Sequence, residues 1–257
     1  MFIYDSHCHI EHLQSNQFNH NLVFSQENMI ILARSLNHIH DLFVLRNNNL
    51  AYKISFGVHP WDCNLYSVKE VEENLQHNID MYKPNLIGEI GLDRFADNFT
   101  RQIDLFYKQL CIAIENKLPV IIHCVKSYNE IITLTKKVLN KYSLDKIRGV
   151  VHAFNSNNLI ANELISLGFY LGIGNNVQQN SLIHNSIHKI DINKLLIESD
   201  APFYGVKNKN PDINKCFINA QIIAKLCNIN LINLINIINT NLNNFLNTTK
   251  EFNHEKI

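Results

Sequence analysis

Eight short apolar runs recur along the chain, at residues 2–8, 29–34, 52–57, 86–89, 120–124, 149–152, 169–173 and 195–198, each bounded by polar residues or glycine. Runs of that length read as buried strands. Between them, apolar positions spaced three and four apart predict helices over 68–82, 100–116, 129–142 and 159–167. Strand alternating with helix favours a parallel sheet. A chain of 257 residues that is 46% hydrophobic can bury one large core, which is the size of a single α/β barrel, so one domain is expected over 1–257. The Asn-rich stretch 228–247 keeps Leu and Ile at helical intervals and is expected to form a closing helix. Residues 11–28 show no periodicity and are expected to loop over the barrel mouth.

In a parallel barrel the carboxyl ends of the strands converge on one mouth, so residues far apart in sequence can meet there around a metal ion. Five of the eight runs end in histidine or carboxylate. His7 and His9 stand two apart, which on a strand puts both on one face and lets them ligate one ion. Glu89 ends a run where a buried carboxylate is costly without a cation or hydrogen bonds, and Gly88 and Gly91 flank it, allowing close backbone approach. A bridging ligand is its natural role. His123 and His152 end two further strands, and Asp200 follows the last as a ligand or base. Any one of these alone reads as an ordinary polar strand end; five matching ends are hard to explain by packing. Asp5 reads as an acid that orients a ligand or serves structure, Glu198 as a buried support, and Asp93 as an outer partner of the ligands or a turn residue. His59, after the third strand, is a candidate substrate-positioning group or proton donor, the rival role being support of a metal ligand. His184 and His188, four apart, read as a solvated helix face.

The 23 basic and 23 acidic residues balance, so no global positive field advertises nucleic acid. Six cysteines form no C-x-x-C pair, which fits a reducing cytoplasm. No apolar run reaches the ~20 residues needed to span a bilayer, and no obligate protein partner is implied. The chain carries no G-x-S-x-G elbow, no phosphate-binding Walker loop and no G-x-G-x-x-G fingerprint; Gly172-Ile173-Gly174 lacks the third glycine. Cys8 and Cys124 adjoin histidines, but strand alternation turns them away as packing residues.

Taken together, His7-Cys8-His9, Gly57-Val58-His59-Pro60, Gly88-Glu89-Ile90-Gly91-Leu92-Asp93, the 101–109 helix leading to His123, the 149–154 stretch and the 198–202 stretch resemble the TatD-like metal-dependent hydrolases, also called TatD DNases. The resemblance runs from the first strand to the last helix. It implies a TIM (β/α)8 barrel of the metallo-dependent hydrolase type holding two divalent ions. His7, His9 and Asp200 would bind one and His123 and His152 the other, with Glu89 bridging. Lys126 stands where many members carry arginine, and Asn155-Ser156 and Asn208-Lys209-Asn210 also depart from the family pattern, outside the ligand set.

The chemistry expected of such a site is phosphodiester cleavage of DNA by a hydroxide held between the ions, with Glu89, Asp200 and His59 as catalytic groups. Lys126 is expected near a phosphate oxygen, and Phe154, Phe203 and Tyr204 at the rim could stack on bases. Mg²⁺, Mn²⁺ and Zn²⁺ all suit the donors. Two alternatives stay open: hydrolysis of a small amide, ester or phosphoester, and a barrel that serves only as a binding or scaffold protein.

Overall fold

The computed structural model describes residues 3–9, 29–33, 39–48, 52–178, 181–201 and 214–247. The expected 11–28 loop lies outside them. Among the described residues seven strands, β1 (Met29–Ala33), β2 (Tyr52–Phe56), β3 (Leu86–Asp93), β4 (Val120–Val125), β5 (Gly149–Val151), β6 (Phe169–Ile173) and β7 (Leu195–Ile197), pair in chain order and all in parallel.

The eighth expected strand is not a regular ladder, yet segment 3–9 closes the sheet. On one side Cys8 N–H donates to Ile30 O at 3.2 Å and Leu32 N–H to Cys8 O at 3.1 Å. On the other, Ser6 N–H donates to Ile197 O at 3.0 Å and His9 N–H to Ala201 O at 2.7 Å. Cys8 therefore bridges both Ile31 and Ala201. Both edges of the sheet are thereby paired, which is what a barrel achieves.

Strand alternation sorts the core into two layers. Ile30 and Leu32 point into the lumen with Leu86, Ile121, Val150 and Leu196, whereas Ile31 and Ala33 belong to the larger layer between strands and helices. The helices that cover the outside are α1 (Ile39–Asn48), α2 (Val68–Tyr82), α3 (Phe99–Glu115), α4 (Tyr128–Tyr142), α5 (Asn158–Ser166), the short α6 (Leu182–Ser186), α7 (Asn214–Leu226) and α8 (Leu231–Asn247). The four predicted helices agree to within one residue because their apolar stripes and caps coincide; α2, for instance, opens on a Ser67/Glu70 capping box.

The Asn-rich stretch is the closing helix α8. Its Leu242 and Phe245 join the lumen cluster. Asn241 Nδ2 donates to Ile192 O and Leu195 O at the start of β7, and Asn239 Oδ1 accepts from Tyr4 N–H. The asparagines thus satisfy backbone groups at the amino-terminal end of the barrel, opposite the mouth. No single helix among the described residues is long and apolar enough to cross a membrane.

Candidate metal centre

Glu89 reaches the mouth through a local irregularity of β3. The β3–β4 register runs Ile87 to Val120 and then Ile90 to Ile122, so Gly88 and Glu89 stand opposite Ile121 alone. Such a bulge re-aims a side chain. Glycine is required on both sides of it: Gly88 has φ 152° and Gly91 φ 151°, and a Cβ on Gly91 would lie 2.0 Å from His123 O. At other strand ends the chain turns through the left-handed region, at Lys126, Ala153 and Asp200 with φ 53°, 45° and 50°. For non-glycine residues this costs of order 1 kcal/mol and clusters at functional sites.

Glu89 is the hub of the site. Its Oε2 lies 3.5 Å from both His7 Nε2 and His9 Nε2, which are 3.1 Å from each other. Asp200 Oδ1 stands 3.6 Å and 3.7 Å from the same two nitrogens. Donor atoms around one ion with bonds of about 2.1 Å stand about 3 to 3.5 Å apart. This half of the site therefore has the spacing a cation needs. The other oxygen, Oε1, faces His123 Nδ1 at 2.6 Å, His152 Nε2 at 2.9 Å and His59 Nε2 at 3.5 Å, so the two nearest imidazoles contact it directly. All these side chains are nearly or fully buried. Among the described residues, three groups could hold an ion: His7, His9 and Glu89; His59, Glu89 and His123; and His7, His152 and Glu198.

The electrostatics follow from burial set against charge pairing. Burial acts to raise Glu89, but His152, His59 and His123 outweigh it and hold the carboxyl well below its usual range. His152 is raised well above an ordinary histidine, against its burial, by Glu89 and Glu198. His7 is lowered to about 4 by burial and by neighbouring His152. Asp200 is pushed up to about 7, chiefly by burial.

Outer partners hold these groups in place. Asp93 Oδ2 accepts from Trp61 Nε1 at 2.7 Å and lies 3.4 Å from His123 Nε2, the carboxylate–imidazole pairing that orients metal-ligating histidines. Glu198 Oε1 accepts from Ala153 N–H at 2.6 Å and lies 3.5 Å from His152 Nδ1. Asp5 accepts from His7 N–H and from both the N–H and hydroxyl of Ser199. His59 Nδ1 accepts from Trp61 N–H at 3.2 Å, so its ring proton sits on Nε2, facing Glu89.

The sequence profile of TatD-related DNases matches residues 4–248, nearly the whole chain and every residue of this centre. The chain belongs to the TatD-related DNase family. An uncharacterized metal-dependent hydrolase of Buchnera aphidicola is 30% identical over 227 residues, covering 79% of this chain and 82% of that protein. A Pectobacterium carotovorum protein named 3'-5' ssDNA/RNA exonuclease TatD is 30% identical over 161 residues, 60% of each chain. The crystal structure of YjjV, a TatD homolog from Escherichia coli, superposes with a TM-score of 0.82 at 24% identity, covering 95% of this chain and 98% of that one, so the two share one barrel fold. TatD-family membership makes the protein one of a family of metal-dependent hydrolases.

Within this TatD-type frame, the six expected ligands and His59 converge, and all but His7 line a cavity of about 610 Å³ that also takes in Lys126. The substrate-facing aromatics do not behave as expected. Phe154 is a correction: it is fully buried, its ring edge-on to Tyr128 in the strand–helix layer, so it offers no face to a substrate. Position 153 takes a left-handed φ, and simple alternation past the strand end therefore fails there. Phe203 and Tyr204 lie outside the described residues. The pair His184 and His188 is also corrected: α6 ends at Ser186, and His184 Nδ1 bonds Val177 O at 2.7 Å.

Two features escaped the sequence reading. Gly172 and Gly174 make room for Glu198, since a Cβ on Gly172 would lie 2.2 Å from Glu198 Oε2. Trp61 lines the mouth; its position directly after Gly57-Val58-His59-Pro60 was the available signal.

Proposed function

We propose that this protein is a divalent-metal-dependent phosphodiesterase that cleaves DNA, a TatD-type deoxyribonuclease. The observation that carries this reading is the division of Glu89: one carboxylate oxygen serves His7 and His9, with Asp200 close by, and the other His123 and His152. The donor spacing around Oε2 fits an ion, and replacement of direct imidazole contacts around Oε1 would admit a second. His7, His9 and Asp200 would hold the first, His123 and His152 the second, and Glu89 both. Mg²⁺, Mn²⁺ and Zn²⁺ are each compatible with mixed imidazole and carboxylate donors. Bound there, such ions supply Lewis acidity toward a phosphoryl oxygen and a water of lowered pKa.

The chain's own groups supply the rest. Asp200, pushed up to about 7 by burial with no ion present, would ligate as a carboxylate and accept a proton on its other oxygen. His59 is neutral, lowered chiefly by burial, and presents Nε2–H as a fixed donor. Lys126, exposed at the cavity wall, offers a cationic group to a phosphate oxygen. The name of the Pectobacterium relative supports nucleic acid as the substrate class.

A second reading, hydrolysis of a small phosphoester, is favoured by the zero formal net charge and by a cavity within the usual small-molecule range. Both are tested together. The parent is expected to cleave single-stranded DNA in Mg²⁺ or Mn²⁺, with Glu89→Ala and Asp200→Ala reduced at least a hundredfold; variants as fast as the parent would refute the mechanism. A nuclease tracking several phosphates should lose affinity steeply between 50 and 200 mM salt, as phosphate contacts imply. A flat salt response would instead support the small substrate.

A further inference from the structure

Trp61 is the chain's only tryptophan, and it stands in the 3-10 turn Pro60–Leu65 immediately after His59. It is 55% exposed, yet firmly held. Its single polar handle points inward, the indole N–H donating to Asp93 Oδ2 at 2.7 Å. The ring stands edge-on to His59, with centroids 4.9 Å apart at 79°, and to His123, 6.2 Å apart at 73°. The same residue lines the cavity that holds Glu89 and Asp200. An exposed hydrophobic residue on a surface needs no explanation, but a rigid indole pinned beside His59 and His123 is a preformed apolar face at the mouth. Among the described residues Tyr128 also lines the cavity, but its hydroxyl accepts from Asn155 N–H and its ring packs on Phe154.

We infer that Trp61 is a stacking platform for a nucleobase of a single-stranded substrate, seated next to the groups that receive the scissile phosphate. The inference rests on the nuclease reading and deepens it. Every base offers a π-face, so such a platform adds affinity without selecting sequence. Because the ring is already fixed through Asp93, little conformational freedom remains to be lost on stacking.

The lone indole is its own probe. Titrating a phosphorothioate-linked decathymidylate into the parent in Mg²⁺ should quench tryptophan emission saturably, whereas the same backbone carrying abasic spacers should leave it unchanged. Trp61→Ala should raise KM for oligothymidylate about tenfold, within the stacking range, while kcat stays within threefold. Trp61→Phe, which keeps a ring but loses the bond to Asp93, should stay within threefold of the parent KM. Equal quenching by the abasic strand would overturn the inference, and so would a Phe variant as impaired as the Ala variant, since Trp61 would then act only through Asp93. If the parent cleaves DNA and Trp61→Ala keeps the parental KM, the platform falls and the nuclease reading stands. Quenching by bases without cleavage would leave the platform and remove the nuclease; neither quenching nor cleavage would remove both.

Discussion

Asp5 and Ser199, 194 positions apart, are joined by two hydrogen bonds: the Ser199 hydroxyl donates to Asp5 Oδ2 at 2.5 Å and its N–H to Oδ1 at 3.0 Å. Oδ1 also accepts from His7 N–H at 3.1 Å. One buried carboxyl thus ties the segment bearing His7 and His9 to the loop bearing Asp200. The closure of the barrel and the assembly of the site are the same contact.

Asp5→Ala would leave these donors without their acceptor, so a loss of about 2 to 3 kcal/mol in unfolding free energy is expected by urea denaturation. Asp5→Asn separates charge from shape. Burial raises Asp5 from 3.8 to about 6, so its contribution is full below the unfolded value and is lost as pH rises through 6. Between pH 4 and 7 the parent should lose up to about 3 kcal/mol relative to the Asn variant. A difference that stays constant with pH would contradict the buried protonated acid.

Gly172→Ala should destabilise the protein by about 1 to 3 kcal/mol and weaken metal retention, because the new methyl would displace the fully buried Glu198 from Ala153 N–H and from the vicinity of His152. Gly174 is the control. Its Cβ would meet Glu198 at 3.4 Å, so Gly174→Ala should cost less than Gly172→Ala. Thermal melts with elemental analysis of purified protein decide the matter; equal effects at the two positions would count against a packing role for Gly172.

Metal affinity should rise with pH. Asp200 is protonated below about 7 and His152 is raised well above its ordinary value, and a cation must displace those protons to be ligated. Mn²⁺ titration calorimetry in buffers of different ionisation enthalpy should show protons released on binding at pH 6, fewer at pH 8. Asp200→Asn should lose the part of that release centred near 7. Uptake of protons, or pH-independent affinity, would show that the ions bind elsewhere.

Much of the site was legible because strands impose a period of two and barrels align their carboxyl ends, so His123 and His152 could be placed from their runs alone. Glu89 was found for the same reason, although the bulge that aims it depends on how β3 meets β4. Phe154 was misplaced and Trp61 overlooked where the chain leaves the strand, because backbone turns there decide which face a residue shows. The glycines at 172 and 174 looked like an incomplete nucleotide motif until Glu198 was seen to occupy their space.

By itself the order of apolar runs and helical stripes determined an eight-staved parallel barrel with polar donors at one rim, since local periodicity is written residue by residue. Only the tertiary structure decided how those donors divide between the two oxygens of Glu89, that segment 3–9 closes the ring through isolated bridges, and which aromatic ring faces the cavity. Those outcomes depend on bulges, left-handed turns and contacts between residues far apart in the chain, and distance in space is not encoded in any local pattern.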